Sequence, residues 1–446
     1  MRRPHSRRQF LVAAGLTVTA AAAGCFDSES EPTGEEPVEA DHDLSVDHDI
    51  ESWDRYDPDW TVPDTSPGAL EAETVVENLE IPWDLSFASD GECFLTERVG
   101  RISRYDGGDL DAVTEPANVI DHATAIDHGD EGGWWATGGE GGLLGNALHP
   151  NYPEVPVLYA FYTYEVGDDD YRNRLVYFDL AGEAPEETII IDDIPGDSFH
   201  NGSRLVFGPR NYLWVTTGDA GDEQLSADPD RLAGKVLRLN PDGTAPASNP
   251  DVGDPRVYSY GHRNAQGLSF MPDGTPIASE HGPAARDEVQ IIGPGEDHGW
   301  PAVRNGPDVD DEYERYDAAD GVTSPLVNTG MEETWAPSGA VFYTGSEVPS
   351  LRNRFLVGGL GSQTLYVVTV GESVPDIGGK RYDAPWLHPS YEAVVHERFE
   401  DELGRIRHVE QGPDGELYAV TSNRDGRADG PFPTESDDRL VRIVDA

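Results

Sequence analysis

The chain has 446 residues, of which 85 are Asp or Glu and 31 are Lys or Arg, for a formal net charge of −54. A surface this acidic repels phosphate backbones and anionic lipid, which excludes a nucleic-acid partner. The chain is 37% hydrophobic with two cysteines, so it can bury a large core and is neither a disordered polyanion nor a disulfide scaffold. The acid excess runs through the whole chain rather than one tail. That is the pattern of adaptation to concentrated salt, where screening makes many like charges tolerable.

The first segment reads as an address. Arg2, Arg3, Arg7 and Arg8 precede an apolar run over 10–23 that is too short for a comfortable membrane span. Ser6-Arg7-Arg8-Gln9-Phe10-Leu11 resembles a twin-arginine signal, and Ala22-Ala23-Gly24-Cys25 resembles a lipobox. The expectation is a signal over 1–24 and a lipid on Cys25. The mature protein would then sit at the outer face of the cell membrane, touching it through the anchor alone. Residues 27–69 carry 15 acidic residues and one basic residue, Arg55, without convincing periodicity. Segment 25–70 is expected to be an acidic, disordered tether, with the folded domain spanning 71–446. Cys93, in a strand-like run, is expected to be a buried inert thiol.

The folded part repeats itself. Alternating apolar strands, several joined by Asp-Gly turns, pair 81–87 with 93–96, 202–207 with 212–216, 266–270 with 276–278 and 405–409 with 417–420. Weaker copies pair 142–147 with 157–160 and 338–342 with 354–357. Runs at 100–105, 235–239 and 439–443 read as outer strands. Six units of about 63 residues fit an all-β, six-bladed propeller with four-stranded blades, closed by pairing a strand near 74–76 with the C-terminal sheet.

Polar groups gather at equivalent strand starts. His200-Asn201-Gly202 opens one inner strand, Gly261-His262-Arg263-Asn264 the next, and Arg405 and Arg407 lie one strand repeat apart in the last. Propeller geometry brings these starts to one channel mouth. Paired arginines in so acidic a chain suggest an anionic, multi-carboxylate ligand. The carbonyls of the Gly282-Pro283 turn, with acidic neighbours, suit a hard cation such as calcium. The Asp-rich loop 218–223 reads equally as a solvated face or a structural calcium site.

In order along the chain stand Ile81-Pro82-Trp83, Thr96-Glu97-Arg98, Gly141-Gly142-Leu143-Leu144-Gly145, His149-Pro150, His200-Asn201-Gly202, Thr217-Gly218-Asp219, Gly234-Lys235-Val236-Leu237-Arg238, Gly261-His262-Arg263-Asn264-Ala265-Gln266-Gly267 and Glu280-His281-Gly282-Pro283. This set resembles the soluble sugar dehydrogenases that use pyrroloquinoline quinone (PQQ), the glucose/sorbosone and aldose sugar dehydrogenase family. The resemblance implies calcium- and PQQ-dependent oxidation of a cyclic aldose at C1 to the lactone, with electrons passed to an external acceptor. It implies His200 as general base while hydride moves to the quinone, and Arg263 stabilising charge on the quinone oxygen. It implies Glu140, Arg263, Asn264, Thr334, Arg405 and Arg407 around the cofactor, and Gly282 and Pro283 as calcium ligands through their backbone oxygens.

Three departures from the family pattern stand out. Phe199 occupies the place of an Asp before the base, the segment 360–363 lacks a cofactor-contacting Lys, and Glu140 replaces a Gln. Two other functions fit a propeller: a calcium-dependent lactonase, and a non-catalytic extracellular binding module.

Overall fold

In a computed structural model of the chain, residues 42–120, 139–167, 170–182, 184–310 and 312–446 are described. The expected signal and Cys25 lie outside them. Six antiparallel sheets each place one short strand innermost. The inner strands are Pro82–Phe87, Leu143–Leu148, Leu205–Phe207, Ala265–Phe270, Pro337–Tyr343 and Ile406–Gln411. Each touches the inner strands of both neighbouring blades, and the sixth meets the first, so the ring closes. This is the six-bladed propeller expected from the repeats. Closure is also as expected: Leu70–Val76 pairs antiparallel with Leu440–Asp445 and completes the sixth blade.

The runs expected to be outer strands are third strands instead. Arg101–Tyr105 is covered by Leu110–Thr114, Lys235–Leu239 by Val257–Tyr260, and Leu440–Asp445 by Leu70–Val76. Two of these covering strands are harder to see in sequence because their side chains face water: neither Leu110–Thr114 nor Leu70–Val76 has a buried residue.

Apolar side chains between blades form the core, and Cys93 is buried there as expected, its thiol pushed up in pKa by burial. The channel axis is filled by charge. Arg204 is 1% exposed, stacks over Trp83 at 4.3 Å, ion-pairs with Asp84 and donates to Gln266 O at 3.0 Å. Asp84 also faces His408 at 3.2 Å. Side chains from blades one, three and six are thereby tied across the axis.

The tether expectation fails for residues 42–69, which line the propeller. Leu44 joins the core between the second and third blades, Trp53 packs edge-on against Phe270 at 5.9 Å, and Arg55 pairs with Glu410 at 2.7 Å. Further along, Asn353 donates to Thr61 O at 3.0 Å and Arg398 to Pro67 O at 2.6 Å. At the mouth where inner strands end, Asp47 and residues 52–55 of this strap line a cavity of about 670 Å³. The few apolar anchors outweigh the acidic composition because each buries fully against the blades. Trp53→Ala is therefore expected to lower the unfolding free energy by about 3–5 kcal/mol. Urea unfolding checks this; an unchanged midpoint would return the segment to a loose tether.

Candidate active site

At the opposite mouth, where inner strands begin, the polar residues singled out in the sequence meet. His200 has a left-handed backbone with φ of 58°. Its N–H donates to Glu140 Oε2 at 3.1 Å and its carbonyl accepts from Ala220 N–H at 3.1 Å. Gly218 lies against that carbonyl: a Cβ there would sit 1.9 Å from His200 O, so only glycine fits.

The imidazole is held by Asp219, a contact that the sequence reading missed. His200 Nδ1 lies 2.7 Å from Asp219 Oδ1, and the two side chains are 14% and 3% exposed. Asp219 also accepts from Gly221 N–H at 2.9 Å and from Trp300 Nε1–H at 2.9 Å. An ionised carboxylate only accepts, so Nδ1 carries the imidazole proton and Nε2 keeps its lone pair. Nε2 makes no hydrogen bond among the described residues. Asp219 belongs to the Asp-rich loop read as solvated or calcium-binding; its carboxylate is instead committed to His200, Gly221 and Trp300.

Arg405 and Arg407 reach the same side, as their spacing requires, and both meet Asp425 Oδ2, at 2.9 and 3.5 Å. Arg407 also donates to Gln266 Oε1 at 3.3 Å, while its Nε is buried without a partner. Arg98 joins them, 4% exposed, donating to the carbonyls of Gly139 and Gly141 at 2.7 and 3.1 Å. Three buried guanidiniums thus share one buried carboxylate. Burial and mutual repulsion outweigh the pull of Asp425, and the pKa falls to about 10 at Arg98 and about 9 at Arg407. An anion entering here meets positive charge that the protein leaves uncompensated.

Glu140 is paired rather than exposed to that anion as a free carboxylate. Burial raises its pKa, but Arg427 at 3.0 Å and the His200 N–H pull it down to about 2, so it stays ionised. Arg427 and Asp425 both sit on the loop after Leu417–Thr421. Asp438 anchors that loop by accepting Asn423 N–H at 2.5 Å. Burial and the neighbouring Asp425 and Asp437 raise the Asp438 pKa to about 8. Between the ordinary carboxylate range and pH 8 the folded state holds a proton that the unfolded chain releases, so this group lowers stability as pH rises through that window. Asp438→Asn should accordingly stabilise the protein at pH 8 relative to wild type, with the gain vanishing near pH 4. Thermal midpoints against pH test it; a gain independent of pH would contradict it.

The remaining candidates lie around the fourth and fifth blades. Asn264 Oδ1 accepts Gly202 N–H at 3.0 Å. Arg263 donates to His281 O at 3.4 Å, stacks near Trp300 at 5.4 Å, and has a buried Nε without a partner. In the Gly282-Pro283 turn, Gly282 N–H donates to Asp287, and no described donor meets Gly282 O. Pro283 O already accepts Ala285 N–H at 2.7 Å and Arg286 Nη1 at 3.1 Å. Thr334 Oγ1 donates to Asp287 Oδ2 at 2.9 Å, so Asp287 clamps the turn to the start of the fifth blade. At the lysine-free segment, Leu360 O accepts from Arg405 at 3.1 Å.

A family model described as Glucose / Sorbosone dehydrogenase matches residues 79–429. The chain belongs to this family. Among glucose/sorbosone dehydrogenase relatives, the aldose sugar dehydrogenase of Escherichia coli is 27% identical over 81% of this chain and 92% of its own. A Thermus thermophilus oxidoreductase described as a glucose dehydrogenase superposes with a TM-score of 0.66 at 34% identity, over 84% of this chain and 100% of its own. The PQQ-bound aldose sugar dehydrogenase of Streptomyces coelicolor superposes with a TM-score of 0.67 at 30% identity, over 86% of this chain and 99% of its own. Family membership makes the protein an oxidoreductase of the sugar dehydrogenase type, which the sequence resemblance had implied.

Proposed function

We propose that the protein oxidises an aldose at C1 to its lactone, using PQQ with calcium and passing electrons to an external acceptor. The observation that carries the reading is the buried, uncompensated guanidinium charge of Arg98, Arg405 and Arg407, on the same mouth as His200, whose backbone N–H is held by the neighbouring Glu140 and whose Nε2 is free to take a proton. PQQ is a flat quinone bearing three carboxylates, and this donor set fits it. Arg405 and Arg407 would grip carboxylates through charge-assisted hydrogen bonds. Arg427 keeps the Glu140 charge from opposing them. When bound, the quinone supplies the two-electron acceptor that no side chain provides.

The protein's own residues then have distinct tasks. His200 Nε2 takes the C1 hydroxyl proton, and Asp219 steadies the imidazolium that forms. Arg263, whose buried Nε has no partner among the described residues, would stabilise negative charge developing on the quinone oxygen. Asn264 fixes the Gly202 peptide and with it the turn carrying the base. Gly282 O can hold calcium while Asp287 keeps the turn in place; Pro283 O, whose two lone pairs are taken by Ala285 N–H and Arg286 Nη1, would join it only by releasing one of them. A lactonase would need a metal held by carboxylate side chains; among the described residues no cluster of three or more His, Cys, Asp or Glu supplies one.

The test is sugar-dependent dye reduction by purified protein in molar salt with calcium, with and without added PQQ. Turnover that needs the quinone and yields lactone is expected. Quinone-independent hydrolysis of lactones would replace the reading with the hydrolase. We also propose export and lipidation at Cys25, which would hold the enzyme beside membrane electron acceptors. An intact mass with an unmodified Cys25 would sink that part.

A further inference from the structure

The side chain preceding the base is apolar and faces solvent. Phe199 is 40% exposed, and among the described residues no other phenylalanine or tryptophan is exposed. Its ring stands at 89° to the His200 imidazole with centroids 4.6 Å apart. The ring tip lies over Gly221, where a Cβ would come within 3.0 Å of Cζ. The turn that presents it is fixed on both sides. Ser198 O accepts Glu140 N–H at 2.7 Å and His200 N–H donates to the Glu140 carboxylate, so one residue pins both flanking peptides. Asn201 closes the turn, donating to Asp197 O at 2.9 Å and accepting from Asp197 N–H at 3.3 Å. A floppy surface phenylalanine would have no such support. An exposed aromatic on a rigid turn is pre-organised to receive a ligand, because little conformational entropy is lost on contact.

We propose that Phe199 is the platform on which the sugar ring lies, which makes the substrate a pyranose that presents a flat face of C–H bonds. This rests on the dehydrogenase reading of the same mouth. Ring C–H bonds next to oxygen carry partial positive charge, and the face of a phenyl ring is negative, so the two attract while both shed water. A phenyl ring cannot hydrogen-bond hydroxyls. It selects by shape: pyranoses whose hydroxyls are equatorial, leaving axial C–H bonds on the contacting face, fit, whereas open-chain polyols do not. Stacking at Phe199 sets the sugar beside the imidazole, within the reach that its C1 hydroxyl needs to meet Nε2.

The test combines kinetics with a binding readout that does not depend on turnover. Phe199→Ala should raise KM for glucose about fivefold to tenfold with kcat within about twofold, as expected for loss of one stacking contact, and Phe199→Tyr should restore KM. In saturation-transfer NMR on the cofactor-free protein, irradiating aromatic protons should transfer to glucose ring C–H protons, and Phe199→Ala should lose most of that transfer. Unchanged KM and unchanged transfer in Phe199→Ala, with active wild type, would overturn the platform. Phe199-dependent transfer in a wild type that oxidises no aldose would leave the platform standing and overturn the dehydrogenase reading.

Discussion

Asp219→Asn is expected to lower kcat by about 10²- to 10³-fold, with KM and quinone affinity nearly unchanged. The carboxylate receives three donors: His200 Nδ1, the Gly221 N–H and the Trp300 indole N–H. An asparagine amide has one acceptor oxygen and one donor nitrogen. Turned one way, its NH₂ confronts the indole N–H. Turned the other, it confronts His200 Nδ1 and drives the proton to Nε2, the tautomer that cannot act as base. Either way the negative charge that steadies the imidazolium is gone. His200→Ala should be at least as slow, because it removes the proton acceptor itself. If Asp219→Asn turned over at the wild-type rate in a folded protein, His200 would not be the base.

Arg407→Met should move affinity and stability in opposite directions. PQQ affinity should fall about 10- to 100-fold, the range for losing a hydrogen bond to a charged group. The cofactor-free protein should unfold at a higher temperature than wild type. Burial and the neighbouring Arg98 and Arg405 depress the Arg407 pKa to about 9, so at neutral pH the folded state carries a charge that the unfolded chain holds more easily. An apolar side chain of similar length relieves that cost. A merely structural arginine paired with Asp425 would behave otherwise, and its loss would lower both. Calorimetric titration and thermal unfolding of the same sample separate the two cases.

Much of the architecture was legible because inner strands are buried on both faces and bounded by turn residues. All six inner strands and the pairing of Leu70–Val76 with the C-terminal sheet follow from that pattern. The strap over 42–69 was not legible. Its anchors Leu44, Trp53 and Trp60 are isolated among carboxylates, and what they contact lies far along the chain. Within the site, His200, Arg405 and Arg407 stood out because histidine and paired arginine are scarce in so acidic a chain. Asp219 and Asp425 were hidden for the converse reason, being two carboxylates among 85 acidic residues. Asp219 did stand in the Thr217-Gly218-Asp219 stretch of the resemblance, and the glycine before it, which the close approach of His200 O demands, was a further signal. Arg98 and Arg427 could have been suspected from their rarity, but only the fold brings them beside Arg407 and Glu140.

Calorimetric titration of the purified, cofactor-free protein with PQQ, in molar salt with calcium, tests the central claim most directly. One saturable site per chain is expected, weakened in Arg405→Met and Arg407→Met and unaffected by His200→Ala. Absence of binding in a folded protein at millimolar quinone, or binding indifferent to both arginines, would contradict a quinone site at this mouth.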